Sequence, residues 1–353
     1  MFDPLTFRHG RPMSNRFMLA PLTNTQSEQD GSVSDDELRW LTMRARGGFG
    51  SVHTCAAYVR EDGKGFPGQM GISSDVHMKG LERLATAIKA EGALASVQLF
   101  HAGYRAPREL VANPVAPSRH AESGARAMST GEVEEIVVAF ADAAQRAERA
   151  GFDGVQLHGG HAFLLEQFLA SKLNCRTDRY GGSEANRSRI YFDIIAAIRD
   201  RCSRDFQVGV RVSPDRLGIG LGENLRFYRK LIDGNAIDYL DLSLGDALRE
   251  PREEGRRGRS LLSYITALDR GAVRLGAAGR ISTSSRCHEV LRAGVDYLAI
   301  GLGGILHHDF PRRVHRDFAF VAVAPPVSHG YLEEEGVGPT FVEYLRGWPD
   351  LVS

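Results

Sequence analysis

Eight short apolar runs alternate with longer amphipathic stretches along this chain, and that alternation constrains its fold more than any other feature. The runs fall at residues 17–21, 51–57, 94–100, 154–158, 207–212, 239–243, 273–277 and 297–301. Between them lie 35–46, 77–91, 130–150, 185–201, 223–233, 261–269 and 284–293, several with apolar residues at helical spacing. In 130–150, Val133, Ile136, Val137 and Phe140 share one side, and Ala144 and Ala147 extend it. Strands that alternate with helices pair in parallel, and eight of them predict an α/β fold closed as a (β/α)8 TIM barrel. An open doubly wound sheet competes with this, but no GxGxxG follows an early strand. At 353 residues and 42% hydrophobic content, the chain can bury a core of barrel size.

Charge and cysteine usage narrow the function. Lys plus Arg and Asp plus Glu number 44 each, so no net field attracts nucleic acid or an acidic membrane. The arginine-rich run at 252–259 reads as a solvated loop. Cys55, Cys175, Cys202 and Cys287 form no CxxC pair, so neither a disulfide framework nor a metal cluster is expected. Residues 1–30 lack the apolar centre of a signal peptide, and no 18-residue window is wholly apolar; the expectation is a soluble, cytoplasmic protein. Residues 105–127 and 248–259 read as surface excursions from the C-terminal face of the barrel, where loops carry function.

The fourth apolar run leads into His158-Gly-Gly-His161. At a barrel strand end the two imidazoles sit on the catalytic rim, and Gly159 and Gly160 are expected to permit the tight turn between them. Three readings stay open on the residues alone. A metal site needs a third ligand; Glu166 is near, but nothing resembles HExxH. Two buried histidines with satisfied hydrogen bonds are the plain alternative. A two-donor clamp on one oxygen atom is the third. A flavin-free lyase or aldolase would want a lysine at a strand end, whereas Lys64, Lys79, Lys89, Lys172 and Lys230 fall in loops or helices.

Further residues give the pair a context. His158-x-x-His161, Gln167-Phe-Leu169, Asn174-x-Arg-Thr-Asp-x-Tyr-Gly-Gly-Ser183 and Asn186-Arg187 come in sequence. Elsewhere stand Asn15-Arg-Phe17, Ala20-Pro-Leu-Thr23, Gln98-Leu-Phe-His-Ala-Gly103, Val210-Arg-Val-Ser213, Ala278-Gly-Arg-Ile-Ser-Thr283 and Ala299-Ile-Gly301. In this order, over nearly the whole chain, the set resembles the Old Yellow Enzyme family of flavin-dependent ene-reductases.

The resemblance implies non-covalent FMN at the C-terminal end of the barrel, with NADH or NADPH as hydride donor and an activated alkene, nitro compound or quinone as acceptor. It implies that His158 and His161 clamp the acceptor's oxygen. It places Pro21, Leu22, Thr23, Ala57, Gln98 and Arg211 around the flavin ring, and Gly279, Arg280, Gly301 and Leu302 around its phosphate. Gln98 would meet the polar pyrimidine edge, and Arg211 the negative charge that reduction brings to N1 and O2. Thr25, Tyr104 and Phe163 would face the substrate. The C-terminal segment 325–353, set off from a barrel of residues 1–324, would carry Arg346 into a neighbouring subunit of a homodimer or homotetramer. Two departures stand out. The family's arginine after the last strand is Leu302 here, while Arg280 replaces a glycine in the preceding turn and is expected to supply the missing cation. The usual tyrosine acid two residues after the second histidine is Phe163; Tyr58, Tyr104 or water would have to serve, and a flavin-binding sensor with little turnover is the alternative function.

Overall fold

The computed structural model describes residues 1–353 and contains ten strands: β1 (Phe17–Leu19), β2 (Ser51–Tyr58), β3 (Leu94–Phe100), β4 (Val115–Ala116), β5 (Arg126–Ala127), β6 (Gly154–Gly159), β7 (Gln207–Val212), β8 (Tyr239–Ser243), β9 (Arg274–Ala278) and β10 (Tyr297–Ile300). Eight of them close a parallel barrel in the order β1-β10-β9-β8-β7-β6-β3-β2. This is the (β/α)8 fold that the alternating pattern predicts. The remaining two, β4 and β5, pair only with each other and give the 105–127 excursion its one ordered ladder.

Boundaries differ from expectation by a few residues. β1 ends at Leu19, shortly before Pro21, which has no N–H to offer a ladder. The helix expected at 261–269 stops at Thr266. Five short helices escaped the sequence pattern: Leu164–Leu169, Leu302–Leu306, Phe310–Arg316, His329–Glu334 and Pro339–Arg346. With five to eight residues each, they hold too few turns for a periodic signal. Helix Thr130–Arg149 illustrates the reverse case. Ser129 and Glu132 form a reciprocal capping box, worth about 1 kcal/mol. Val133, Ile136, Phe140, Ala144 and Ala147 are buried on its inner side, while Val137 stays partly exposed.

Strand alternation divides the barrel into two chemistries. Val97, Leu99, Val155, Leu157, Val210, Leu240 and Leu242 belong to the main apolar cluster under the helices. The positions between them point into the barrel and are polar: Gln98, Gln156, Arg211 and Asp241, all buried. Barrel interiors are usually filled by branched aliphatic residues. Two bulky tyrosines complete this one. A Cβ at Gly209 would lie 2.1 Å from the Tyr239 ring, and one at Gly276 2.0 Å from the Tyr297 ring, so the glycines make the room those rings occupy.

Residues 325–353 pack on their own barrel. Phe341 is buried edge-on to Trp40, with ring centroids 5.1 Å apart. The Gly338 N–H donates to Gln26 Oε1 at 2.9 Å, and Thr25 Oγ1 to the Thr340 carbonyl at 3.2 Å. Replacing Phe341 by Ala is expected to cost about 3–5 kcal/mol at this contact. Amide exchange across 329–346 should then accelerate while the barrel strands keep their protection; unchanged exchange in that segment would show that Phe341 does not anchor it.

Candidate active site

Register brings the functional side chains to one level. In the paired strands Ala56 stands opposite Gln98, Gln98 opposite Gln156, His158 opposite Arg211, and Arg211 opposite Asp241. At the C-terminal mouth a cavity of about 130 Å³ is walled by Pro21, Leu22, Thr23, Ala56, Phe66, Gln98, Phe100, His158, His161, Phe163 and Arg211, with Ile305, Tyr344 and Trp348 closing one side. An adjoining cavity of about 430 Å³ shares Leu22 and Arg211 and runs past Ser243, Gly279, Arg280, Gly301 and Leu302. The two form one elongated site, polar at its far end.

His158 and His161 face each other across 3.2 Å, from His158 Nε2 to His161 Nδ1. The glycines between them act by size. Neither has a positive φ; His161 (φ 56°) and Ala162 (φ 61°) take the left-handed conformation instead, at about 1–3 kcal/mol each. A Cβ on Gly159 would strike the Tyr191 ring at 2.7 Å, and one on Gly160 would strike Ser213 Oγ at 2.4 Å. The expectation that the glycines supply the turn's dihedral freedom is therefore corrected: they supply close approach. The turn is held by Ser213 Oγ, which accepts from the His161 N–H at 3.2 Å, by the Glu166 carboxylate, which accepts from the Ala162 N–H, and by Gln167 Nε2, which donates to the Ala162 carbonyl at 2.8 Å.

Burial keeps both imidazoles neutral. It pushes His158 well below the ordinary range and His161 down to about 3, and the Arg211 and Arg105 cations add to the effect on both. A neutral imidazole has one N–H, and the neighbours decide where it sits. Arg211 Nη2 donates to Ser243 Oγ at 3.4 Å, so the Ser243 hydroxyl hydrogen is free for His161 Nε2 at 2.8 Å. His161 then carries its proton on Nδ1, aimed at His158. His158 Nδ1 is buried with no partner, which favours leaving it as a bare lone pair and placing the proton on Nε2. That placement sets the two N–H groups face to face across 3.2 Å, a repulsion that an acceptor atom bound between them would relieve.

The flavin residues implied by the sequence were tested against this geometry. Arg211 is buried, yet its cation is poorly satisfied: Nε has no hydrogen-bond partner, and Nη1 and Nη2 reach Pro21 O and Ser243 Oγ only at 3.5 and 3.4 Å. Such a guanidinium, facing a cavity, suits an anionic group. Gln98 donates through Nε2 to Gln156 Oε1 at 2.7 Å, leaving Oε1 as a free acceptor at the cavity wall. Arg280 lines the far cavity in a left-handed conformation (φ 50°), exposed and without an ion-pair partner. Pro21, Leu22, Thr23, Gly279, Gly301 and Leu302 line the two cavities as expected. These residues fit a planar ring with an electron-rich edge and a phosphate tail.

Other expected residues lie elsewhere. Ala57 turns into the apolar cluster beneath the helices; Ala56 takes the cavity wall, because the β2–β3 register shifts between His53 and Ala56. Thr25 spends its hydroxyl on the Asn24 and Thr340 carbonyls. Tyr104 stacks on His120, centroids 4.1 Å apart, away from the cavity. Tyr58 donates to the Asp30 carbonyl at 2.9 Å and also lies off the cavity. Arg346 points to solvent beside Glu343 and reaches no part of its own site; Tyr344 and Trp348 are the tail residues that do. Phe163 lines the cavity 5.1 Å from His158, with the Arg105 guanidinium 4.8 Å over its ring. No group of three or more His, Cys, Asp or Glu side chains is placed to hold a metal ion. No helix is long and apolar enough to cross a membrane.

Gln156, Asp241 and Ser243 were not anticipated. A signal for the first two exists: Val97-Gln-Leu99, Val155-Gln-Leu157, Val210-Arg-Val212 and Leu240-Asp-Leu242 repeat one apolar–polar–apolar pattern in four successive barrel strands. Polar residues on the same parity of neighbouring strands imply one inward-facing polar layer.

Known proteins give the chain's family. Residues 1–241 match the NADH:flavin oxidoreductase / NADH oxidase family, a match that stops before the atypical turns at Arg280 and Leu302. The chain is 37% identical over 313 residues to the probable NADH-dependent flavin oxidoreductase YqiG of Bacillus subtilis, covering 85% of this chain and 84% of that one. It is 30% identical over 346 residues to an NADPH dehydrogenase of Bacillus cytotoxicus, covering 95% and 97%. The solved structure of an Old Yellow Enzyme homologue from Zymomonas mobilis shares the fold, with a TM-score of 0.82 at 24% identity over 96% of this chain and 97% of that one. The chain belongs to the NADH:flavin oxidoreductase / NADH oxidase family, that of the Old Yellow Enzymes, and is an NAD(P)H-dependent flavin oxidoreductase that works with FMN.

Proposed function

We propose that the enzyme reduces small electrophiles, namely enones, nitroalkenes or quinones, whose oxygen is held between His158 Nε2 and His161 Nδ1. Bound FMN supplies the redox chemistry, accepting hydride from NAD(P)H and delivering it from N5 to the electron-poor carbon. The single observation that carries the reading is the pair of neutral imidazoles, Nε2 and Nδ1 3.2 Å apart on the cavity wall, backed by Ser243. Negative charge arrives on the substrate oxygen only as hydride is transferred. Two fixed donors in a buried site therefore bind the transition state better than the ground state.

Neutrality of the pair sets the pH dependence. His161 falls from its ordinary 6.5 to about 3 in the folded chain, so between those values the unfolded chain binds more protons. Stability from this group is full above about pH 6.5 and declines as pH falls toward 3. The clamp itself does not titrate near neutrality. Substrate kcat/KM is expected to stay flat from about pH 5.5 to 8, without the inflection an ordinary histidine would give. A fall centred near pH 6.5 would mean that an imidazolium takes part.

The α-carbon of an enone also needs a proton, and Phe163 has none to give. Of the tyrosines, Tyr344 lines the cavity, and its hydroxyl bonds to no other side chain or carbonyl; it or water is the remaining source. Phe163→Tyr is expected to raise kcat for cyclohexenone while flavin reduction by NADPH keeps its rate. No change would mean that another donor already serves. The phenylalanine also favours a second reading, a flavin-binding protein with little enone turnover. Stopped-flow measurement of both half-reactions against enones, quinones and nitro compounds separates the two.

At the far end Arg280 takes the part of the arginine that Leu302 replaces, holding the FMN phosphate. Arg280→Ala is expected to weaken FMN retention about tenfold, the value of one charge-assisted contact. Equal FMN dissociation constants for variant and parent would remove that role. Arg346, exposed on the tail, is available to complete the site of a neighbouring copy in a homodimer or homotetramer.

A further inference from the structure

We infer that Asp241 is the positioning residue of this site: one buried carboxylate fixes donor and acceptor directions at both the flavin edge and the histidine clamp, and tempers the charge of Arg211. The inference rests on the reading above that Gln98 and Arg211 meet the flavin's pyrimidine edge.

Asp241 lies on β8 below the cavity and is fully buried. Burial pushes its carboxyl up, and Arg211 and the Gln156 amide oppose part of that rise. Ionised, it can only accept, and it therefore ends one hydrogen-bonding chain and, through an ion pair, anchors a second. In the first, Gln156 Nε2 turns to Asp241 Oδ2 at 3.3 Å. The other end of that amide, Oε1, must then face Gln98, whose Nε2 donates to it at 2.7 Å. Gln98 is left with an oxygen toward the cavity, an acceptor for a ring N–H. Without a carboxylate at the base, either amide could reverse.

In the second chain, Arg211 Nε lies 3.4 Å from Asp241 Oδ2. The guanidinium is thereby turned so that Nη1 and Nη2 reach Pro21 O and Ser243 Oγ. Ser243, having accepted from Arg211, donates to His161 Nε2, and His161 presents Nδ1–H to the substrate oxygen. The two chains diverge from one oxygen atom and end on the two molecules the site must read.

Asp241 also sets how much positive charge the flavin edge feels. Arg211 alone would favour the electron-rich reduced ring; the adjacent carboxylate offsets part of that. The bound flavin is thereby kept at a lower potential and remains a willing hydride donor.

The test is made on the FMN-loaded enzyme, reading the flavin midpoint potential and the FMN dissociation constant in Asp241→Asn, Asp241→Glu and Gln156→Met. Asp241→Asn is expected to move the potential upward, with reduced flavin gaining about tenfold in binding over oxidised flavin, which is about 30 mV for two electrons. Asp241→Glu should return it toward the parent value. Gln156→Met, which cuts only the amide chain, should weaken FMN about tenfold and move the potential less than Asp241→Asn does. An unmoved potential in Asp241→Asn, or an equal shift in Asp241→Glu, would overturn the inference. Should Asp241→Asn not retain flavin, Gln156→Met decides: an unchanged FMN affinity there would overturn it too. A Gln98→Ala chain that binds FMN as tightly as the parent would instead sink the assignment of Gln98 to the flavin edge.

Discussion

The arrangement of this site depends on an ion pair placed where an aliphatic core would be more stable. Arg211 and Asp241 stand opposite each other on β7 and β8, both buried, with Nε and Oδ2 3.4 Å apart. Taking two charges out of water costs several kcal/mol per ion, and pairing rarely returns all of it. Here the return is poor even by that standard, since Arg211 Nε and Asp241 Oδ1 make no hydrogen bond. A barrel selected for stability alone would carry a leucine at each position. What the pair provides is direction, because a cation and a carboxylate are the only side chains here that cannot exchange the roles of donor and acceptor. Gln98, Gln156, Ser243 and His161 can all act either way, and each borrows its orientation from the pair.

A second constraint lies in the turn that carries His161. Two consecutive non-glycine residues hold left-handed dihedrals, and the strain persists because the turn is over-determined. Arg105 Nη1 donates to the His161 carbonyl, Glu166 accepts from the Ala162 N–H, and Ser213 Oγ accepts from the His161 N–H. Gly159 and Gly160 let this turn sink onto Tyr191 and Ser213. The imidazole therefore has little freedom to swing out of line. That rigidity is the structural counterpart of the neutral clamp: donors that bring no charge must be well placed to be useful.

The same physics explains what could be read from the sequence. The eight strands were legible because their outward faces are continuous apolar runs, and the helices because five or six of their residues repeat at one spacing, as in Val133, Ile136, Phe140, Ala144 and Ala147. His158 and His161 drew attention as polar residues at the end of an apolar strand, while Gln98 and Arg211 were placed on the cavity by the family resemblance. Ala57 was misplaced by one residue, since a register shift between His53 and Ala56 reverses side-chain parity and leaves no mark in composition. Thr25 and Tyr104 sit in loops, where spacing says nothing of direction. Tyr344 and Trp348 reach the cavity through tertiary docking of a tail, which no local pattern encodes. Asp241 was overlooked for a different reason. Taken singly, a polar residue within a strand suggests a sheet edge; only its alignment with Gln98, Gln156 and Arg211 across four strands reveals an inner layer.

Charge movement gives that layer its purpose. On the proposed reading, Arg211 would stand beside the electron-rich flavin edge and the histidine pair beside the substrate oxygen. Ser243 bridges the two, 3.4 Å from Arg211 Nη2 and 2.8 Å from His161 Nε2. Hydrogen bonds in series polarise one another, so the chain responds as a unit when charge leaves one end and arrives at the other. An imidazolium in place of His161 would break that symmetry: it would bind anions in the ground state and hold the substrate oxygen tightly both before and after reaction. Neutral imidazoles, on the same reading, would hold that oxygen firmly only while it is charged. Burial, which pushes both imidazoles far below the ordinary range, is thus as much a part of the chemistry as the nitrogen atoms themselves.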